Sequence, residues 1–366
     1  MLNLSFSRRA LRFNFPARTS RGALSEHVAW YLHLTNEAAP ALVGLGEAAP
    51  LAGLSPDYGP EFPTAIVRLC ERFNAAAFAT FAATEAPAFV GADYPALVFA
   101  LETAALDLAG GGRRQLYANA FGRGASALPI NGLVWMGDAA FMREQIQQKL
   151  AEGYSCLKLK IGSLDFATEL GLLTEIRAEA GPDRLMLRVD ANGAFTPTEA
   201  PARLAQLAAF NLHSIEQPIA AGQGPALAAL CRTSPLPIAL DEELIGVTDP
   251  TRQAALLDEI RPAYIVLKPT LLGGHTATRR WISLAQARSI GWWITSALES
   301  NIGLNAVAQL TGEYDVRGFA QGLGTGQLYL NNVAAPLHTD GGTLRYDPTG
   351  PWEFIAPGGS ELPNMG

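Results

Sequence analysis

The chain has 366 residues, of which 49% are apolar and 17% charged, and its net charge is −7. That length suits two domains rather than one small core, and that composition excludes a disordered chain. The acidic balance argues against a nucleic-acid partner, while leaving room for a locally basic pocket around an anionic small molecule.

Residues 2–15 alternate in apolar character (Leu2, Leu4, Phe6, then Leu11, Phe13, Phe15), and a second alternating run places Val28, Trp30, Leu32 and Leu34 on one face. A shorter apolar run covers 41–45. Three antiparallel strands are expected, with turns around 17–22 and 36–40. From 63 to 110 Ala, Leu and Phe recur at helical steps, so an α+β unit of about 125 residues opens the chain. Arg8 and Arg9 interrupt the N-terminus before a signal-peptide core forms, and the weakly polar stretch 75–83 is too short for a bilayer. Cys70, Cys156 and Cys231 form no CxxC pair and read as thiols of a reducing compartment, so the expected location is cytoplasmic, with no membrane partner. A homo-oligomer is compatible with all of this.

From about 126 to 325 apolar strands alternate with amphipathic helices, for example 139–152 and 165–180. Strands are expected near 130–135, 156–161, 185–190, 213–217, 237–241, 263–268, 291–296 and 317–321. Eight such strands point to a closed barrel with its site at the C-terminal strand ends. The tail, 326–366, is rich in Gly and Pro, shows little periodicity, and is expected to return and complete the N-terminal unit, 1–125. Gly44-Leu-Gly46 and Gly110-Gly-Gly112 lack the context of a phosphate loop. His213 reads as a core residue.

Five charges end successive apolar runs: Lys160, Asp190, Glu216, Asp241 and Lys268. Their gaps are 30, 26, 25 and 27 residues (190−160, 216−190, 241−216, 268−241), about one strand, its crossover helix and two loops. Charges that end neighbouring strands meet at one end of one sheet. Asp190, Glu216 and Asp241 then form a hard oxygen site without His or Cys, suited to Mg²⁺, with Mn²⁺ as the alternative. The bland reading is that each acid caps a helix or pairs with an arginine.

Lys158 and Lys160, two apart on a strand, face the same way. Their mutual repulsion and their burial both lower an amine's pKa, as a general base requires. The alternative is that one lysine snorkels to solvent while the other balances carboxylate charge. Lys268 faces this pair from across the barrel. A metal beside a lysine base suggests removal of a proton next to a carboxylate, whose developing charge a cation stabilises.

Lys158-Leu-Lys160, Asp190-Ala-Asn-Gly-Ala, Glu216-Gln-Pro, Asp241-Glu and Lys268-Pro together resemble the enolase superfamily, muconate-lactonizing-enzyme subgroup. The resemblance implies an α/β fold, a (β/α)7β-type TIM barrel under an N-terminal α+β capping domain. It also implies Mg²⁺ on Asp190, Glu216 and Asp241, Lys160 as the acid/base, Lys158 assisting it, and Lys268 on the opposite face. Within the subgroup, 295–303 and 321–326 resemble the o-succinylbenzoate synthases of the branch typical of menaquinone-making Bacteroidetes, as does the loop 19–22. Gly322-Leu-Gly324 stands where dipeptide epimerases carry an Asp-x-Asp that holds an amine.

The implied reaction is the dehydration of 2-succinyl-6-hydroxy-2,4-cyclohexadiene-1-carboxylate, a small-molecule carboxylate. Expected substrate contacts are Arg21, Ser296, Glu299, Gly322, Gly324 and Thr325, with Asn192 and Glu242 in support. A structural role for Glu299, and solvent exposure for Arg21, are the alternatives. The competing activities are N-succinylamino acid racemase, dipeptide epimerase and cycloisomerase. A non-catalytic barrel that binds a metal or an anion is the competitor of a different class.

Overall fold

The computed structural model describes residues 1–19 and 22–357. Three antiparallel strands open the chain: β1 (Leu2–Thr19), β2 (Gly22–Asn36) and β3 (Ala39–Ala48), in that spatial order. The expected alternation is present, with a change of face inside β1. Leu2, Leu4 and Phe6 are buried on one side of the sheet, whereas Leu11 and Phe13 are buried on the other. Pairing with β2 is continuous from Leu2 to Arg12, so the switch from even to odd positions is a change of buried face and not a register slip. Helices cover the first face: α1 (Phe62–Ala75), α2 (Ala86–Val90) and α3 (Pro95–Ala109).

Helix α3 is buried nearly all round because it lies between this sheet and the rest of the molecule. It crosses β3 in backbone contact. A Cβ at Gly44 would stand 2.1 Å from the Ala104 carbonyl oxygen, and one at Gly46 would stand 1.9 Å from that of Ala100. Gly44-Leu-Gly46 is therefore a helix–strand crossing, in agreement with its lack of phosphate-loop context.

After the short strand β4 (Leu128–Pro129), strands and helices alternate: β5 (Gly132–Val134), α4 (Ala139–Ala151), β6 (Cys156–Lys160), α5 (Phe166–Glu179), β7 (Met186–Asp190), α6 (Ala200–Ala208), β8 (Ser214–Glu216), α7 (Gly224–Thr233), β9 (Ile238–Leu240), α8 (Pro250–Ile260), β10 (Tyr264–Leu267), α9 (Pro269–Leu272), α10 (Gly274–Gln286), β11 (Gly291–Ile294) and α11 (Asn301–Thr311). Polar side chains set several helix starts. Asp138, Asp165 and Asp249 each accept a backbone N–H three residues on, at 2.9 Å. Strands β5 to β11 form one parallel sheet in chain order.

The eighth expected strand, 317–321, is not a regular strand. Gln321 and Gly322 make only single parallel bridges, to Ile130 and Thr295 respectively. Gly318, at φ +78°, and Gly322 and Gly324 offer no side chains to pack on a pleated surface, which is why a ladder does not extend.

At the N-terminal end of this sheet the Arg188 guanidinium lies over the rings of Trp293 (4.3 Å) and Phe319 (4.6 Å). His213 joins this group against Tyr264, as a core histidine. Burial, and secondarily Arg188, pull it down to about 4.

The tail holds structure that the sequence reading does not anticipate: a hairpin of β12 (Leu337–Asp340) and β13 (Thr343–Tyr346), with β13 paired to β4. The tail also runs along β1, where Tyr329 bridges Phe13, the Leu330 N–H donates to the Arg12 carbonyl at 2.8 Å, and Glu353 pairs with Arg9. Among the described residues no helix is long and apolar enough to cross a membrane.

Candidate active site

The parallel pairing brings the charged strand ends together. Lys160 pairs with Asp190, and Asp190 with Glu216, across β6, β7 and β8. Asp241 follows β9 and Lys268 follows β10. All five expected charges therefore stand at the C-terminal end of one sheet. Lys158 lies one inward-facing position deeper than Lys160 on β6. Asp190, Glu216 and Asp241 are buried, with 0%, 2% and 1% of their surface exposed. Charges so deep require partners.

Those partners are the lysines. Lys158 Nζ stands 2.9 Å from Asp190 Oδ2 and 2.6 Å from Glu216 Oε2. Lys160 Nζ donates to Asp190 Oδ2 at 2.6 Å and to Asn192 Oδ1 at 2.8 Å. Lys268 pairs with Asp241. Asn192, at φ +43°, also donates to Glu242 Oε1 at 2.9 Å, so both expected supporting groups lie beside the charges.

The electrostatics correct the expected lowering at Lys158. Burial pulls its ammonium down, but Asp190, Glu216 and Asp241 push it up by more, and the net direction is well above an ordinary lysine. Two lysines on one strand face repel. Three carboxylates within reach of the deeper one outweigh that. Lys268 is raised in the same way: burial opposes, and Asp241, Glu242 and Glu216 prevail. Burial also acts against Asp190, but Lys158 and Lys160 overcome it and hold that carboxylate far below its ordinary range.

Glu216 is the exception. Burial, then Asp190, and beyond these Asp241, push it well above the ordinary range despite Lys158. Although Lys158 is close, neither Glu216 oxygen receives a well-directed hydrogen bond. That is the test of whether a divalent ion suits these residues, and they fit. A buried carboxylate that is ion-paired to Lys158 but takes no directed hydrogen bond on either oxygen, and that stands beside two other acids, accommodates a further cation, and an all-oxygen set suits a hard one. Among the described residues no three acidic, His or Cys side chains already stand at the spacing of a metal cage. Lys158 reaches both Asp190 and Glu216 in their present positions.

A cavity opens over these groups. Lys158, Lys160, Lys268 and Asn192 line it, together with the apolar Leu24, Leu51, Leu54, Leu133, Trp135 and Leu298. Ser296, Gly322, Gly324 and Thr325 also line it, and the Ser296 and Thr325 hydroxyls bond each other at 2.6 Å. Gly322 has no room for a side chain: a Cβ there would lie 2.2 Å from Thr295 Oγ1.

Glu299 does not line the cavity. It is fully buried and accepts the Thr270 hydroxyl and the Ala297 N–H, each at 2.8 Å, so it holds the loop after β11 and is not placed to touch a substrate. Its position one residue past the inward-facing Leu298 turns it away from the cavity. Arg21 lies outside the described residues.

Three contributors escape the sequence reading. Gln217, at φ +40°, accepts the backbone N–H groups of Asp241 (3.2 Å) and Glu243 (3.3 Å) and so orients the strand end that carries Asp241. The Glu216-Gln-Pro motif carries the signal for it. Asn131 and Trp135 line the cavity from the ends of the first expected strand run. The leucines of the N-terminal unit, Leu24, Leu51 and Leu54, carry no signal, because apolar residues that line a cavity look like core.

A family model described as enolase C-terminal domain-like matches residues 141–345, more than half of the chain. The chain is 48% identical over 367 aligned positions to an o-succinylbenzoate synthase from Desulfotalea psychrophila, covering 94% of this chain and 98% of that protein. Identity to an N-succinylamino acid racemase from Amycolatopsis is 30% over 260 positions, covering 70% and 68%. The crystal structure of MenC from Desulfotalea psychrophila superposes with a TM-score of 0.79 at 45% identity, covering 94% of this chain and 99% of that one. The muconate lactonizing enzyme from Pseudomonas putida gives 0.76 at 22% identity, covering 94% and 93%, a likeness of fold.

Proposed function

The chain belongs to the enolase C-terminal domain-like family, and on that footing we propose that it is an o-succinylbenzoate synthase. It dehydrates 2-succinyl-6-hydroxy-2,4-cyclohexadiene-1-carboxylate to 2-succinylbenzoate, a step of menaquinone biosynthesis. The observation that carries this reading is similarity to such a synthase along nearly the whole of both chains. The lack of any acidic side chain at Gly322-Leu-Gly324 supports it against a dipeptide epimerase, which needs an anchor for an amine.

In this reading Asp190, Glu216 and Asp241 would hold Mg²⁺, and the ion would supply positive charge beside the substrate carboxylate. Lys160 removes the ring proton next to that carboxylate. The hydroxyl on the neighbouring ring carbon leaves from the same face, and Lys160 returns the proton to it as water departs. The ring becomes aromatic, so modest acid help suffices. Lys268, held as an ammonium by Asp241, faces the reacting carbon from the other side. Lys158 keeps Asp190 and Glu216 in place. Asn192 offers Lys160 a second acceptor and fixes its direction.

The reading includes a closed (β/α)7β barrel over 126–325, which the bridges of Gln321 and Gly322 support. It also includes a capping domain of 1–125 completed by 326–366, which the contacts of the tail with β1 support. A cytoplasmic location is in keeping with three free thiols.

The test is incubation with the cyclohexadiene acid and Mg²⁺ beside a panel of N-succinyl amino acids and dipeptides. Loss of the ring-diene absorbance is expected. Racemisation or epimerisation without that loss overturns the assignment.

A further inference from the structure

Leu298 is held at φ +68°, in the left-handed region. Asn192, another positive-φ residue beyond a strand end, is of a type that adopts this region readily. A leucine is not, because its Cβ crowds the following carbonyl. Such a conformation persists only where the surroundings over-determine it, and here they do. The Leu298 carbonyl accepts the Tyr329 hydroxyl at 2.5 Å. Before it, the Ala297 N–H is bound by Glu299. After it, the Ser300 N–H and hydroxyl and the Gly303 N–H donate to Glu47 of β3, at 2.7, 2.5 and 2.7 Å. Glu47, Glu299 and Tyr329, from three parts of the chain, thus fix a turn that leucine disfavours.

The conformation aims the side chain inward. Leu298 lines the cavity, 8% exposed, and packs in one apolar cluster with Leu51 and Trp135, and Lys158, Lys160 and Lys268 line the same cavity. We infer that Leu298 is a specificity-determining residue. Its left-handed backbone places an apolar wall against the part of the substrate beyond the reacting carboxylate, favouring a hydrocarbon ring over a substrate that brings a polar amide to that wall. The inference rests on the proposed dehydration for its ligand, but not for its geometry.

The test compares wild type with Leu298→Ala and Leu298→Asn. Asparagine tolerates the left-handed backbone at similar size and changes only the polarity of the wall. For the cyclohexadiene acid, Leu298→Ala raises KM by about tenfold, the scale set by removing methylenes from an apolar pocket, with kcat within about twofold. Leu298→Asn raises KM similarly, keeps Tm close to wild type, and shifts the kcat/KM ratio toward N-succinyl amino acids. Unchanged KM in both folded variants, or a lowered Tm with unchanged KM, gives Leu298 a purely structural role and overturns the inference. If wild type does not dehydrate the diene, the proposed function fails separately. The same KM comparison on whichever panel substrate is turned over then decides the wall.

Discussion

Lys158→Met removes an ammonium from between two buried carboxylates while nearly keeping its volume. In the wild type that ammonium lies 2.9 Å from Asp190 and 2.6 Å from Glu216, and its side chain is 9% exposed. Deleting one partner of a buried pair costs roughly 3–5 kcal/mol, because the remaining charge is left uncompensated. At about 2–4 °C per kcal/mol in a domain of this size, Tm should fall by roughly 6–20 °C in EDTA. Saturating Mg²⁺ should restore most of that loss. At about a hundred times its dissociation constant a ligand contributes about 2.7 kcal/mol, and the variant offers two carboxylates freed of a competing ammonium. The assay is thermal unfolding of wild type and variant across a Mg²⁺ titration. An equal Tm deficit with and without Mg²⁺ would refute the reasoning, since Lys158 and the ion would then not share the same carboxylates.

Lys160→Ala should lower kcat for dehydration by about 10²–10⁴-fold, the usual contribution of a general acid–base group, with Tm nearly unchanged because the residue is only partly buried; a smaller loss in steady-state assays would move the base elsewhere. Gly322→Ala should destabilise by about 1–3 kcal/mol, since its Cβ overlaps the Thr295 side chain, whereas Gly324→Ala, whose nearest neighbours lie at 3.5 Å, should be within about 0.5 kcal/mol of wild type in denaturant titrations. The buried His275 bonds Thr103 and Tyr117, and burial, helped by Arg279, lowers it to about 3. With the folded value depressed below the ordinary 6.5, its contribution to stability is complete above that pH and is lost as pH falls toward 3. His275→Gln should therefore flatten the acid side of the stability–pH curve, and an unchanged slope would contradict the assignment.

The five charges were readable in the sequence because a βα unit has a nearly fixed length, so residues that end its strands recur at that length. What the period does not carry is contact. Lys158 and Lys160 read as a repelling pair, yet the ring of carboxylates, visible only in three dimensions, reverses the outcome at Lys158. Glu299 stands at a strand end like the metal-site acids, but faces the loop it holds. The expected strand 317–321 reduces to one bridge at Gln321, with a second at Gly322 just beyond it, and Gly318 interrupts the run. The tail hairpin did have a signal: Gly341 and Gly342, at φ +51° and +79°, form the two-residue turn that joins short strands. The change of face within β1 was written in the step from Phe6 to Leu11, but only the continuous pairing with β2 tells a two-sided sheet from a slipped register.

The most direct test of the account is proton NMR of the cyclohexadiene acid mixed with wild type, with Lys160→Ala, and with wild type in EDTA. The account predicts the aromatic signals of 2-succinylbenzoate with wild type and Mg²⁺, and neither product nor hydrogen exchange at the ring position in the other two. Aromatic product from Lys160→Ala at the wild-type rate, or from wild type in EDTA, would contradict it.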